Sequence, residues 1–170
     1  MPEPAPLPTL VGAPPDLVLR PSDPSDVDEL LDLLRPPEIA EWWGENDAAS
    51  LTDEIAGHFT IVIGGEVAGI LECHQENEPM YPEVSFDIML GVRWHGAGYG
   101  RRALRLAIDY FVTRGHHRFA IDPAATNVAA IRCYSAVGFR PVGILRQAER
   151  TPRGEFRDGL LMDLLATELP

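Results

Sequence analysis

The chain is predicted to fold as a mixed α/β domain, a sheet of about six to seven strands flanked by about four helices. Three observations predict it. Short apolar runs bounded by glycine or proline mark strands, as at Phe59–Ile63 before Gly64-Gly65. Longer runs with apolar residues three and four apart mark helices, as at Leu104, Ala107, Ile108 and Phe111. The runs follow one another as strand, two or three helices, three strands, helix, strand, helix and two strands, with no repeats and no linker long enough to divide the chain.

Each element has a local reason. Leu17-Val18-Leu19-Arg20-Pro21 alternates and ends at proline, a first strand. Ser25 or Asp26 is placed to cap a helix with apolar Val27, Leu30, Leu31 and Leu34, closed by Pro36-Pro37. A second helical stretch runs from Glu38 to Trp43 and breaks at Gly44; a third spans Ser50 to Gly57, with Leu51 and Ile55 at helical spacing. Strands follow at Phe59 to Ile63, Val67 to Cys73 and Val84 to Val92, a polar loop from Gln75 to Pro82 separating the last two. A long helix covers Gly98 to Thr113 and stops at Gly115. Arg118 to Ile121 reads as a strand, Asn127 to Val137 as a helix, and Phe139 to Leu145 and Asp158 to Leu165 as closing strands.

Residues 1–16 carry six prolines, at positions 2, 4, 6, 8, 14 and 15, and are expected as a flexible leader ahead of a single domain over 17–170. They lack the basic and apolar regions of a secretory signal, and no run approaches a membrane span, so a cytoplasmic protein is expected. Cys73 and Cys133 have no ligand spacing, so neither a disulfide nor a metal site is expected. The formal net charge of −12 argues against a nucleic-acid partner and predicts attraction for a cationic ligand. A monomer or homodimer is expected, an exposed strand near the C-terminus being able to pair.

The strongest motif is His95-Gly96-Ala97-Gly98-Tyr99-Gly100-Arg101-Arg102, which follows a strand and opens a helix. Glycines let the backbone approach a ligand, and first-turn N–H groups point at an anion, so the motif reads as a diphosphate cradle. A Walker loop would need Gly-Lys-Ser/Thr, which is absent. A dinucleotide fingerprint would need an acid about 20 residues on, and Asp122 satisfies that spacing, so the motif by itself leaves this reading open beside a merely structural turn.

The second motif runs from Asp122-Pro123 and Asn127 into Ala130-Ile131-Arg132-Cys133-Tyr134-Ser135-Ala136-Val137-Gly138-Phe139. In that order the two motifs resemble the GNAT acetyltransferase superfamily: its Arg/Gln-x-x-Gly-x-Gly/Ala diphosphate signature, then the Asn-x-x-Ala-Ile-x-x-Tyr-x-x-x-Gly-Phe stretch. His95 departs from the usual Arg or Gln. The resemblance implies the GNAT fold, a twisted sheet of mostly antiparallel strands, with acetyl-CoA as co-substrate. It implies backbone contacts to pantetheine from Leu90 and Val92, and diphosphate held by Gly96, Ala97, Gly98, Tyr99, Gly100 and Arg101. Asn127 would bond the pantetheine arm, and Tyr134 would sit by the sulfur and protonate the leaving thiolate. The strand over Val84 to Val92 would splay from its neighbour to admit the acyl group. Asp87, among Phe86, Ile88 and Met89, would be the base, its setting raising its pKa.

Within the superfamily, Glu41-Trp42-Trp43-Gly44, Asp122-Pro123 and Asp158-Gly159 are similar to elements of aminoglycoside 6'-N-acetyltransferases. The implied acceptor is a small polycationic amine. Asp87, Asp122 and Asp158 would pair with its ammonium groups, Trp42 and Trp43 would face a sugar ring, and the loop acids Glu72, Glu76, Glu78 and Glu83 would extend the rim. Ile108-Asp109-Tyr110-Phe111 and Gly154-Glu155-Phe156-Arg157-Asp158 also resemble ribosomal-protein N-terminal and spermidine acetyltransferases. A non-catalytic acyl-CoA-binding module is the reading from another class.

Overall fold

The computed structural model describes residues 6–44 and 46–169, so the first five residues of the expected leader lie outside the described residues. One sheet contains β1 (Leu10–Val11), β2 (Leu17–Pro21), β3 (Phe59–Ile63), β4 (Glu66–Glu76), β5 (Glu83–Leu90), β6 (Arg118–Ile121), β7 (Arg140–Arg150) and β8 (Phe156–Leu165). Their order is β1-β2-β3-β4-β5-β6-β8-β7, antiparallel except where β5 meets β6. The α-helices are α1 (Val27–Leu34), α2 (Pro37–Trp43), α3 (Ala48–Glu54), α4 (Tyr99–Thr113) and α5 (Val128–Val137).

The eighth strand comes from the expected leader, and that expectation is corrected for residues 6–16. Leu10 and Val11 pair with Leu19 and Val18, Gly12 N–H donates to Leu17 O at 2.8 Å, and Leu7 is buried in the main core. Proline spacing signalled an extended chain but not that the sheet edge would accept it. Two other strands outrun their expected limits. β4 continues to Glu76 and β7 to Arg150, because long antiparallel neighbours supply the ladder that polar residues alone do not advertise.

Asp26, one of the two expected caps, stands at the N-cap position of α1 but makes no side-chain cap bond to it; Asp23 caps the preceding 3-10 turn Pro24–Asp26, its Oδ1 accepting from Ser25 N–H at 2.9 Å. Asp26 is buried instead. It accepts from both Arg20 terminal nitrogens (2.6 and 2.8 Å), the Asp23 N–H (2.9 Å) and the Thr60 hydroxyl (2.8 Å). Four donors offset the desolvation of that carboxylate.

The sheet is covered on both faces. Leu104, Ala107, Ile108 and Phe111 of α4, with Val137 of α5, pack against Phe59, Leu71, Phe86 and Phe119. On the opposite face Val27, Leu30 and Leu34 of α1, Ile39 of α2 and Leu51 of α3 cover Ile70 and Met89. Strand alternation therefore sends Glu72, His74, Ser85 and Asp87 to the face shared with Ile70 and Met89, away from α4. Among the described residues no helix is long and apolar enough to cross a membrane.

The feature that positions the site is a gap. β5 and β6 pair only at Val84↔Phe119 and Ser85↔Ala120, although β5 runs on to Leu90. From Phe86 onward β5 keeps its unbroken ladder to β4 and leaves β6 unpaired, so the two strands diverge as expected. The divergence needs no bulge within β5, whose register to β4 is continuous.

Candidate active site

The diphosphate cradle forms where β5 ends. Gly96 and Gly98 have φ of +74° and +83°, and a Cβ at either would meet nothing within 4 Å, so the left-handed backbone demands glycine there rather than crowding. The first α4 hydrogen bond with a carbonyl four residues back is Arg102 N–H to Gly98 O at 3.1 Å. The N–H groups of Tyr99, Gly100 and Arg101 precede it and are free for an anion, with the Arg101 guanidinium exposed beside them. These residues fit the diphosphate of coenzyme A. His95 has a specific place: its Nε2 lies 2.8 Å from Leu90 O and pins the loop to the end of β5. Leu90 O, expected for pantetheine, thus already has one partner. Val92 is exposed at the start of a 3-10 turn, Val92–Trp94.

The N-terminal segment reaches this helix start. Asp16 accepts from Tyr99 Oη at 3.0 Å and from Arg102 at 2.6 Å, and Arg102 also donates to Pro14 O at 2.8 Å. Asp16→Ala is expected to raise KM for acetyl-CoA about fivefold, roughly 1 kcal/mol, with kcat within twofold of wild type; initial rates at varied acetyl-CoA check this.

Tyr134 on α5 is 7% exposed and packs edge-on to Phe139 at 6.4 Å. Burial pushes its phenol far above the ordinary tyrosine range, and the charges of Cys133, Asp87 and Asp122 add to that, so it keeps its proton. Asn127 caps α5, its Oδ1 accepting from Ala130 N–H at 3.1 Å.

Across the gap lies an acidic cluster that the sequence only half disclosed. Glu72 and Asp87 are register partners on β4 and β5. His74 Nε2 lies 3.5 Å from Glu72 Oε2 and 3.6 Å from Asp87 Oδ2. The donor atoms of the three lie within 4.8 Å of one another, a spacing suited to an ammonium group. Two expectations are corrected here. Asp87 is not in an apolar setting: its side chain is 53% exposed, because Phe86 and Ile88 project from the other face. Glu72 is not a loop acid but lies mid-strand, its side chain only 13% exposed, and burial followed by the Asp87 charge pushes it up to about 7. Glu76 and Glu83 also belong to strands, and Glu83 pairs with Arg118.

Asp122 joins the cluster electrostatically; burial raises its pKa, and Asp87 and Glu149 raise it further. The Asp122-Pro123 turn is tied to β8 by Ala125 N–H to Asp158 O and Leu160 N–H to Pro123 O, both 2.8 Å, which brings Asp158 alongside. One Asp158 oxygen is used structurally, accepting from the positive-φ residue Gln147 at 2.8 Å. The two tryptophans part company. Trp43 packs against the α1–α3 core. The face of Trp42 carries the Arg157 guanidinium at 4.8 Å, and Arg157 also donates to Glu149 Oε2 at 2.8 Å and Glu41 O at 3.1 Å. That clasp takes the ring face expected for a sugar and binds α2 to the β7–β8 hairpin.

His58 stands behind the cluster, its ring 5.1 Å from that of His74. Its Nδ1 accepts from Cys73 N–H at 2.9 Å, and burial, then the His74 charge, lowers it to about 4. A histidine whose folded pKa is depressed adds stability that is complete above about 6.5 and is lost as pH falls toward 4. Wild type is therefore expected to lose up to about 2 kcal/mol relative to His58→Asn over that interval, solvent screening included. Urea midpoints of both proteins at pH 7.5 and 4.5 measure the difference. The sequence signal for Glu72 and His74 was present in outline, two polar residues at period two with Ile70 in an apolar strand run; His58, ahead of β3, lies outside that run. Glu149 and Arg157 gave no such signal.

The sequence profile of the acetyltransferase (GNAT) family matches residues 25–139. The chain is similar to the spermidine N(1)-acetyltransferase of Escherichia coli (strain K12), 24% identical over 156 residues that span 85% of this chain and 83% of that protein. Mycobacterium smegmatis RimJ in complex with CoA-disulfide superposes with a TM-score of 0.81 at 22% identity, covering 98% of this chain and 88% of that one. The aminoglycoside acetyltransferase AAC(6')-Ib in complex with coenzyme A superposes with a TM-score of 0.74 at 22% identity, covering 89% and 96%. The Salmonella typhimurium acetyltransferase that modifies the N-terminal serine of 50S ribosomal subunit protein L7/L12 gives 0.78 at 21% identity, covering 88% and 95%. At these identities the superpositions show a shared fold.

Proposed function

This chain belongs to the acetyltransferase (GNAT) family, and from that premise we propose that it acetylates a primary amine of a small polycation, in the first instance an aminoglycoside. It is an acetyl-CoA-dependent acyltransferase. The observation that supports the acceptor class is the acidic pair Glu72 and Asp87, facing each other across β4 and β5 beside the β5–β6 gap, with Asp122 near enough to feel the Asp87 charge. Burial and neighbouring negative charge raise the pKa of Glu72 and Asp122, and a ligand bearing several ammonium groups relieves that repulsion. The Glu-Trp-Trp-Gly and Asp-Pro elements favour an aminoglycoside among such ligands; the spermidine acetyltransferase relative favours a polyamine as the second reading.

Acetyl-CoA supplies the thioester. The α4 amides with Arg101 would hold its diphosphate, and the Asn127 side-chain NH2, left over from capping, would bond the pantetheine arm. We assign the base to Glu72 rather than Asp87, with Asp87 as its electrostatic partner: a carboxyl near 7 is half ionised at neutral pH and strong enough to take a proton from an ammonium, where an exposed carboxylate is weaker. The neutral amine attacks the thioester carbon; the C–N bond forms and the C–S bond breaks. Tyr134 gives its phenolic proton to the departing sulfur and is refilled by the second proton the nitrogen loses. One proton ends on the thiol and one on Glu72.

A panel of aminoglycosides, polyamines and short peptides, followed by thiol release, tests the acceptor. Turnover of an aminoglycoside supports the first reading. Turnover confined to polyamines moves the assignment to the second, and turnover confined to peptides overturns both. Binding of coenzyme A with no release from any amine would leave a non-catalytic acyl-CoA-binding module.

A further inference from the structure

The proton left on Glu72 needs a way out. Glu72 is 13% exposed, and in the ternary complex the acceptor would cover the cluster's open side, closing the route through the mouth. We infer that His74 is that exit, taking the proton from Glu72 on Nε2 and releasing one to water. The inference rests on Glu72 being the base.

The geometry has the order a relay requires. The base is nearly enclosed, the imidazole 3.5 Å from it is half in solvent, and the two sit on the same strand face two residues apart. In the step the Glu72 O–H bond breaks and an Nε2–H bond forms, giving a carboxylate and an imidazolium; the ring then returns to neutral by losing an N–H proton to water. Every charged group facing His74 assists. Asp87 at 3.6 Å stabilises the imidazolium, and Glu54 of α3 and Asp122 add negative charge around the Glu72–Asp87 pair. His58 packs edge-on to the ring and is held neutral, its Nδ1 occupied by Cys73 N–H, so it orients His74 without competing for the proton. Asp87 first, then Glu72, raises His74 above its ordinary value against the opposing effect of burial, a shift that favours the imidazolium through which the proton passes.

The test is His74→Ala with acetyl-CoA and saturating spermidine or kanamycin, with and without added imidazole. The variant is expected to lose about tenfold in kcat with KM for acetyl-CoA unchanged, and imidazole in the buffer is expected to restore most of the loss. Wild-type kcat in His74→Ala, or a loss that imidazole does not reverse, overturns the relay. Glu72→Gln run beside it separates the two readings: if it is inactive while His74→Ala is fully active, the base stands and the relay falls; if it stays active, the base itself is wrong. A measurement independent of any acceptor is the NMR titration of the His74 ring in wild type and Glu72→Gln. Its pKa is expected to fall by about half a unit or more in the variant, and an unchanged value would show that the two groups do not exchange influence as a relay must.

Discussion

Glu72→Gln is expected to lower kcat by about a hundredfold or more while leaving coenzyme A affinity unchanged. The amide keeps the shape and hydrogen-bonding reach of the carboxyl but accepts no proton. In wild type, kcat/KM is expected to rise tenfold per pH unit below about 7 and level above it, because Glu72 must lose its proton before it can act. In the variant that limb disappears. Stability provides a second and opposite signature. Glu72 has a folded pKa above its unfolded one, so the stability it confers is complete below about 4.5 and is lost as pH rises to 7. Glu72→Gln is therefore expected to be about 1–2 kcal/mol more stable than wild type at pH 8. A variant that is both more stable and inactive cannot owe its inactivity to misfolding; thermal melts and pH–rate profiles of one preparation settle both points.

Gly69→Ala is expected to cost about 3–4 kcal/mol, a fall in Tm of about 10 °C. Gly69 pairs with Leu90 at the end of the β4–β5 ladder, and an added Cβ would stand 1.9 Å from Met89 O and 2.9 Å from Met89 C. Backbone carbonyl cannot rotate away as a flexible side chain would, so β5 must leave β4 at the point where the gap to β6 opens and the cradle loop departs. Acetyl-CoA binding is expected to weaken with stability. The contrast is Gly65→Ala in the β3–β4 turn, where a Cβ meets nothing within 4 Å and only the left-handed φ of +86° opposes it; about 1 kcal/mol is expected there. Differential scanning calorimetry of the two variants ranks them.

The cradle was legible because its chemistry is local. His95 to Arg102 is one contiguous segment, and the conformation its glycines permit, followed by a helix start, can be read within that segment as a place suited to an anion. Tyr134 was legible through its spacing from Asn127 and Gly138, again within one helix. The acceptor side was less so. Asp87 has apolar neighbours in sequence, yet the strand turns Phe86 and Ile88 to the other face. Glu72 was set aside as a loop acid although the ladder to β5 carries β4 past it as far as Glu76. The Arg157 guanidinium on one face of Trp42 had no signal in the sequence, because Arg157 lies more than a hundred residues away.

By itself, then, the sequence determined the alternation of strands and helices, the resemblance to the family and the glycine loop ahead of α4, since each depends on residues within a turn or two of one another. Tertiary structure alone decided which acid is suited to the role of base proposed for Glu72. That depends on burial and on the charge of a neighbour across a strand pair, and both are set by how β4, β5 and β6 are arranged. The same arrangement, with β6 leaving β5 after two residue pairs, opened the gap beside which Glu72 and Asp87 stand.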